Sequence, residues 1–321
     1  MTRALPLLAG GRRGGRSGGG ARHVEQIPAR EGRSTAWPEW TPEVLRERLI
    51  AAGITAPWEH QAAAAESAHG GRHTVLATGT ASGKTLALWL PALSDIVAAE
   101  IAVSDSAVAA AGQGATALYL SPTKALAHDQ FRALQDLAVP GLRVATYDGD
   151  TPADERRWVR AHAHYVLSNP DLVHRSLLPR HTAWARFLRG LRYVIIDEAH
   201  HYRGMFGSHV AMVVRRLLRV ASHYGAHPTV ILASATMATP EATAQALVGA
   251  PVAAITEDAS PRSPLTAVLW EPPEAIGIAH HAEGSQPRRS AIAESADLLA
   301  DLVSGGTRTL AFVPSRRGVE T

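Results

Sequence analysis

The stretch "HTVLATGTASGKTLAL", residues 73–88, limits the fold more tightly than any other part of the chain. A short apolar run, His73 to Thr78, stops at a glycine-rich turn, and a helical pattern follows from about Lys84 to Ala99. A strand feeding a glycine turn and then a helix gathers backbone N–H groups around an anion at the helix N-terminus. The usual phosphate loop places glycine five positions ahead of Gly-Lys-Thr, with four residues between. Here that place is Thr78, and glycine comes one step later at Gly79. Gly79 and Gly83 still permit a tight backbone, so Thr80, Ala81, Ser82 and Gly83 can wrap a triphosphate. Lys84 would reach its β- and γ-phosphates, and the Thr85 hydroxyl would ligate Mg²⁺. At this point a glycine turn without nucleotide is still open.

A phosphate loop needs a carboxylate at the end of another strand to hold the cation. "LRYVIIDEAHHY" supplies one: apolar residues lead into Asp197 and Glu198. Asp197 would orient the metal shell, and Glu198 would polarise the attacking water. The gap from position 84 to 197 leaves room for about three strand–helix units of roughly 30 residues each.

The rest of the chain supplies those units. "TALYLS" (116–121), "LRVATY" (142–147), "HYVLSN" (164–169), "LRYVIID" (191–197) and "TVILAS" (229–234) read as strands, most followed by amphipathic segments. Such alternation predicts an α/β fold with a parallel sheet flanked by helices. The polar, alanine-rich stretch before Ala115 reads as a surface excursion. Near "EDASPRSPLTAVLWEPP" prolines cluster and a new strand, "LTAVLW", begins. A helix around Ala291–Ser304 and a strand "RTLAFVP" (308–314) follow. The reading is therefore a flexible arm over 1–33, an ATP-binding domain over 34–260, and the incomplete opening of a second α/β domain over 261–321.

Charge is unevenly placed. Residues 1–33 carry seven arginines and two glutamates, while the whole chain has a net charge of +3. The "GGRRGGRSGGGAR" segment is too glycine-rich to order itself; it either touches nucleic-acid phosphates nonspecifically or is a plain disordered start. Thirty of the 32 basic residues are arginine, and the two lysines, Lys84 and Lys124, both fall in motif-like loops. Compact ammonium groups are wanted there rather than planar forks. No cysteine is present, which excludes disulfides and thiolate metal sites and fits a reducing, cytoplasmic setting. No run approaches the roughly 18 consecutive apolar residues that span a bilayer. The histidines at His162, His164, His200, His201, His280 and His281 lack a complete tetrahedral ligand set nearby, so no structural metal is expected.

"TGTASGKT", "SPTKALAHDQ", "SNPDLVH", "DEAH" and "SAT", in this order, resemble motifs I, Ia, Ib, II and III of superfamily 2 helicases. "YDGDTP" and "DEAHHYRGMFGSHVAMVVRRLLR" are similar to the YprA-type (MrfA, Hrq-type) DNA helicases, from roughly Trp37 onward. The resemblance implies two RecA-like domains, with ATP and Mg²⁺ as cofactors and single-stranded or tailed duplex DNA as partner. It implies that Gln61 reads adenine, a task suited to a carboxamide that donates and accepts at once; Trp58 is a candidate stacking partner. It makes His200, Ser234 and Thr236 the relay between hydrolysis and movement. It assigns phosphate contacts to Pro122, Thr123, Lys124, Gly149, Asp150, Asn169, Pro170 and Asp171.

"RTLAFVPSRRGVE" resembles motif IV, with Pro314 in an unexpected place, and motifs V and VI with their arginine finger are not present. Two readings follow: the front part of an ATP-driven DNA helicase or translocase in DNA repair, or an ATP- and nucleic-acid-binding module that hydrolyses poorly. An RNA helicase is a third reading, because the ATP chemistry is identical.

Overall fold

The computed structural model describes residues 19–105, 114–235, 237–274 and 288–315. Among them run the strands β1 (Gly20–Ile27), β2 (Thr74–Ala77), β3 (Thr116–Leu120), β4 (Val144–Thr146), β5 (Tyr165–Ser168), β6 (Leu191–Ile196), β7 (Thr229–Ser234), β8 (Ala253–Ile255) and β9 (Leu265–Glu271). They fall into two compact units, Glu31–Pro261 and a second made of Met1–Arg30 with Arg262–Thr321.

In the Glu31–Pro261 unit, seven strands form one sheet in the order β4-β5-β3-β6-β7-β2-β8. Every pairing in it is parallel. Strands β2, β3, β5 and β7 are buried at each position. That is the pattern of a sheet covered on both faces. The period-two alternation sorts their side chains. Leu118, Leu120, Val194 and Ile196 join the core on one face. Ala117, Tyr119, Tyr193 and Ile195 join the other, with Trp89 and Leu93 of the helix Lys84–Asp105. Each such fully buried large apolar side chain contributes about 1.5–3 kcal/mol relative to an exposed one. By length and composition Lys84–Ala102 could cross a membrane, but 61% of that window is buried inside the fold. It is the central core helix.

The parallel arrangement fixes the site. All strand C-termini share one edge, so the loops after β2, β3, β4, β5, β6 and β7 emerge together there. Strand β8 was not anticipated: three residues beside β2 give too short a run to stand out from a loop.

The second unit pairs β1 with β9 antiparallel, from Gly20↔Glu271 to Ile27↔Leu265, with one irregularity between Ala21 and His23. Its helix Ala291–Ser304 is capped by Ser290, whose Oγ accepts from Ala293 N at 3.2 Å. The buried Glu294 accepts from Trp270 Nε1 at 3.1 Å and from Arg289 at 3.1 Å.

Two expectations need correction here. Residues 20–27, expected to lie within a flexible arm, form a strand, because β9 offers a row of backbone groups that supplies the order composition lacks. Residues 1–18 of that arm lie outside the described residues. The expected strand at 308–314 is irregular, with Leu310 85% and Phe312 92% exposed. A β-rich segment needs a ladder partner, and none of the described strands pairs with it. The chain passes between units at Arg30–Glu31 and Pro261–Arg262. Arg30 and Arg262 pair there, N to O at 2.8 and 2.9 Å.

Candidate functional site

The turn after β2 is built on two left-handed residues, Ala81 at φ 62° and Gly83 at φ 76°. Glycine takes that conformation freely, whereas alanine holds strain. A Cβ at Gly83 would come within 2.5 Å of Gln61 Nε2. The turn is braced from behind. The Thr78 and Ser82 hydroxyls bond at 2.7 Å, and Gln61 Nε2 donates to Gly83 O at 2.7 Å. His60 Nε2 donates to Ser82 O at 3.1 Å while its Nδ1 accepts from Ala259 N at 3.1 Å, a pattern that requires the neutral ring. Lys84 Nζ donates to Gly79 O at 2.7 Å and Thr78 O at 3.2 Å. Burial lowers the Lys84 pKa, and the charges of Glu198, Asp197 and Asp258 oppose that shift.

The acidic pair stands at the end of β6, where Asp197 N continues the ladder to Leu120 O at 2.9 Å. Asp197 is buried, accepting from Glu198 N on Oδ1 at 2.8 Å and from the Tyr119 hydroxyl on Oδ2. Burial raises its pKa, and these two hydrogen bonds pull the other way. Glu198 turns left-handed at φ 49°. Its Oε2 meets His200 Nδ1 at 3.1 Å. The same nitrogen lies 3.4 Å from Ser234 Oγ and 3.4 Å from Ala235 N, at the end of β7. Nδ1 donates to the carboxylate or accepts from the β7 end, but not both in one tautomer.

These groups line one cleft of about 500 Å³: Thr80, Ala81, Gly83, Lys84 and Thr85 from the turn, Pro122 and Thr123 after β3, Asp197, Glu198 and His200 after β6, and Ala235. The phosphate turn and the acidic pair therefore share a cleft although they are 113 positions apart. The Thr85 hydroxyl and the Asp197 carboxylate offer it hard oxygen donors, which fit a magnesium ion. A neighbouring cleft of about 370 Å³ is lined by Trp58, Gln61, Leu86 and Trp89 and shares Gly83 and Thr85 with the first. Glu198, His200 and His201 also bring ligand atoms within 4.8 Å of one another, a three-donor group the sequence reading had set aside.

Other expected residues sit differently. The Ser82 side chain is buried against Thr78 instead of facing the cleft, and its part is to brace the turn. Lys124 Nζ bonds Asp150 Oδ2 at 2.6 Å, with Gly149 close by. Asp148 and Arg156 shape that loop: Asp148 Oδ1 accepts from Asp150 N at 2.8 Å, and Arg156 donates to Asp148 O at 2.9 Å and Thr151 O at 2.8 Å. Asn169 Oδ1 caps Leu172 N at 2.9 Å, next to the buried Pro170, and Asp171 pairs with Arg175 at 3.0 Å. These three loops follow β3, β4 and β5, which are adjacent in the sheet. Thr236, His280 and His281 lie outside the described residues. Sequence reasoning missed Tyr119 and His60. Tyr119 looked like any strand residue in "TALYLS"; only the adjacency of β3 and β6 brings it to Asp197.

A family model described as DEAD/DEAH box helicase matches residues 58–244. The Bacillus subtilis protein called uncharacterized ATP-dependent helicase YprA is 36% identical over 301 residues, covering 92% of this chain and 37% of that protein. ATP-dependent helicase HRQ1 of Saccharomyces cerevisiae is 38% identical over 271 residues, covering 82% of this chain and 23% of its own length. The crystal structure of DUF1998 helicase MrfA bound to DNA and AMPPNP matches with a TM-score of 0.85 at 35% identity, covering 100% of this chain and 41% of that one. The chain thus spans well under half the length of these relatives.

Proposed function

This chain belongs to the DEAD/DEAH box helicase family, and from that premise we propose that it is the nucleotide-binding front of an ATP-dependent DNA helicase or translocase acting on single-stranded or tailed duplex DNA. The observation that carries the reading is the single cleft shared by Lys84, Thr85, Asp197 and Glu198. The triphosphate lies along the turn from Thr80 to Thr85, held by its N–H groups and by Lys84. Its base enters the neighbouring cleft beside Gln61 and Trp58. Thr85 and Asp197 would hold magnesium, which when bound would neutralise charge on the phosphates. Glu198 accepts the proton of the attacking water. His200, standing between Glu198 and the end of β7, senses that proton and passes the change to Ser234 and Thr236.

Nucleic acid runs along the loops after β3, β4 and β5, where Lys124 and backbone N–H groups meet phosphates rather than bases. The DNA-bound structures of the relative MrfA support DNA over RNA, and a role in repair belongs to the same proposal. The test is ATP turnover of the full-length protein with single-stranded DNA or RNA added, with Glu198→Gln as control. Stimulation by DNA that vanishes in the variant is expected. Stronger stimulation by RNA overturns the choice of substrate, and full turnover in E198Q overturns the site.

A further inference from the structure

Both oxygens of the Asp197 carboxylate take a proton donor from the protein. One donor, Glu198 N, belongs to the same turn. The other, the Tyr119 hydroxyl, comes from 78 residues away on the neighbouring strand β3. The Tyr119 side chain is fully buried on the face of the sheet covered by the helix Lys84–Asp105, so its hydroxyl sits at a fixed point. Tyr165 and Tyr202 also bury hydroxyls near this carboxylate, yet neither finds a hydrogen-bond partner. The Tyr119 and Tyr165 rings are 6.4 Å apart, tilted at 33°. One phenol in this group therefore bonds Asp197, and its equally buried neighbour serves as an internal control.

A carboxylate that ligates a cation must present a chosen lone pair, and its rotation is set by the groups bonded to its oxygens. We infer that Tyr119 is a positioning residue for the cation-bearing carboxylate, its hydroxyl holding Asp197 in the rotation that turns an oxygen edge into the cleft. The alternative is that the tyrosine only fills the core. The inference rests on the magnesium-nucleotide reading of the cleft. It adds a residue outside the turn and the acidic pair, one that is fully buried and does not line the cleft.

The test measures binding of a fluorescent ADP analogue to this chain across a magnesium titration, in the unaltered protein and in Tyr119→Phe, Tyr165→Phe and Asp197→Asn. Phenylalanine keeps the ring and removes the hydroxyl. The magnesium concentration giving half of the magnesium-dependent gain should rise about 10-fold in Y119F, in the range seen for partners of metal ligands. Binding without magnesium should stay unchanged, and Y165F should match the unaltered chain in both. Combining Y119F with D197N should add nothing to D197N alone. Equal weakening with and without magnesium, or no shift in Y119F, overturns the inference while leaving the nucleotide site standing. No magnesium-dependent binding by the unaltered chain overturns both. Should Y119F not fold, the unaltered chain carrying ¹³Cζ-tyrosine provides the second readout. The Tyr119 signal should move on adding magnesium with ADP and stay still with ADP alone, and the reverse refutes the role.

Discussion

Lys84 Nζ donates to Gly79 O at 2.7 Å and thereby closes the phosphate turn upon itself, with Thr78 O as a second acceptor at 3.2 Å. The ammonium that would meet a phosphate is thus already fixed over the turn by the turn's own carbonyls. Phosphate oxygens compete for the same protons and add a full negative charge to bonds whose donor is already charged. Lys84→Ala should weaken ATP binding by at least about 30-fold, the scale of losing one partner of a buried charge pair. Equilibrium titration with a fluorescent nucleotide checks this.

Glu198→Gln should leave nucleotide affinity within about threefold while turnover falls by about 10²–10⁴, because an amide cannot take the water's proton. The variant also alters the contact to His200 Nδ1 at 3.1 Å. Single-turnover hydrolysis and binding, measured on the same full-length preparation, separate the two effects.

Gly83→Ala should cost about 1–3 kcal/mol, since it places a Cβ on a left-handed residue and within 2.5 Å of Gln61 Nε2. Gln61 must then release Gly83 O, so nucleotide affinity falls as well. Thermal unfolding with and without ATP reports both losses.

His164 is buried among Arg143, Arg186 and Glu100, and burial together with the two arginines pushes its pKa from 6.5 to about 4. The unfolded chain takes up a proton near 6.5 and the folded one only near 4, so between these values the unfolded state binds more protons. Stability is full above that window and declines as pH falls through it. Urea unfolding between pH 7 and 4 should show the decline, and His164→Phe should flatten it.

Lys124→Ala should reduce affinity for single-stranded DNA about equally across sequences and lower the salt slope by about 0.7, the signature of one lost phosphate contact. Asp150→Asn should act the other way by releasing Lys124 from its 2.6 Å ion pair. Binding measured at several salt concentrations distinguishes them.

Much of the first unit was legible because its signals are local. The apolar runs at 116–121, 164–169, 191–197 and 229–234 are strands within a residue or so at their ends, since buried parallel strands carry continuous apolar sequence. The convergence of Lys84 on Asp197 followed from phosphate chemistry, which demands both. What stayed hidden was non-local. Order in residues 20–27 depends on a partner about 240 to 250 positions later, and no composition rule sees that partner. Tyr119 and His60 act through hydrogen bonds to Asp197, Ser82 and Ala259 that only sheet order and loop packing create. Asn169 also uses its Oδ1 as a helix cap, the ordinary use of that residue before Pro-Asp.

The paired passage at Arg30 and Arg262 makes this chain hard to sever in two. A protease nick at either passage leaves one covalent thread intact, and the β1–β9 ladder keeps the freed end in place. A single cut therefore frees an end only where that ladder has melted.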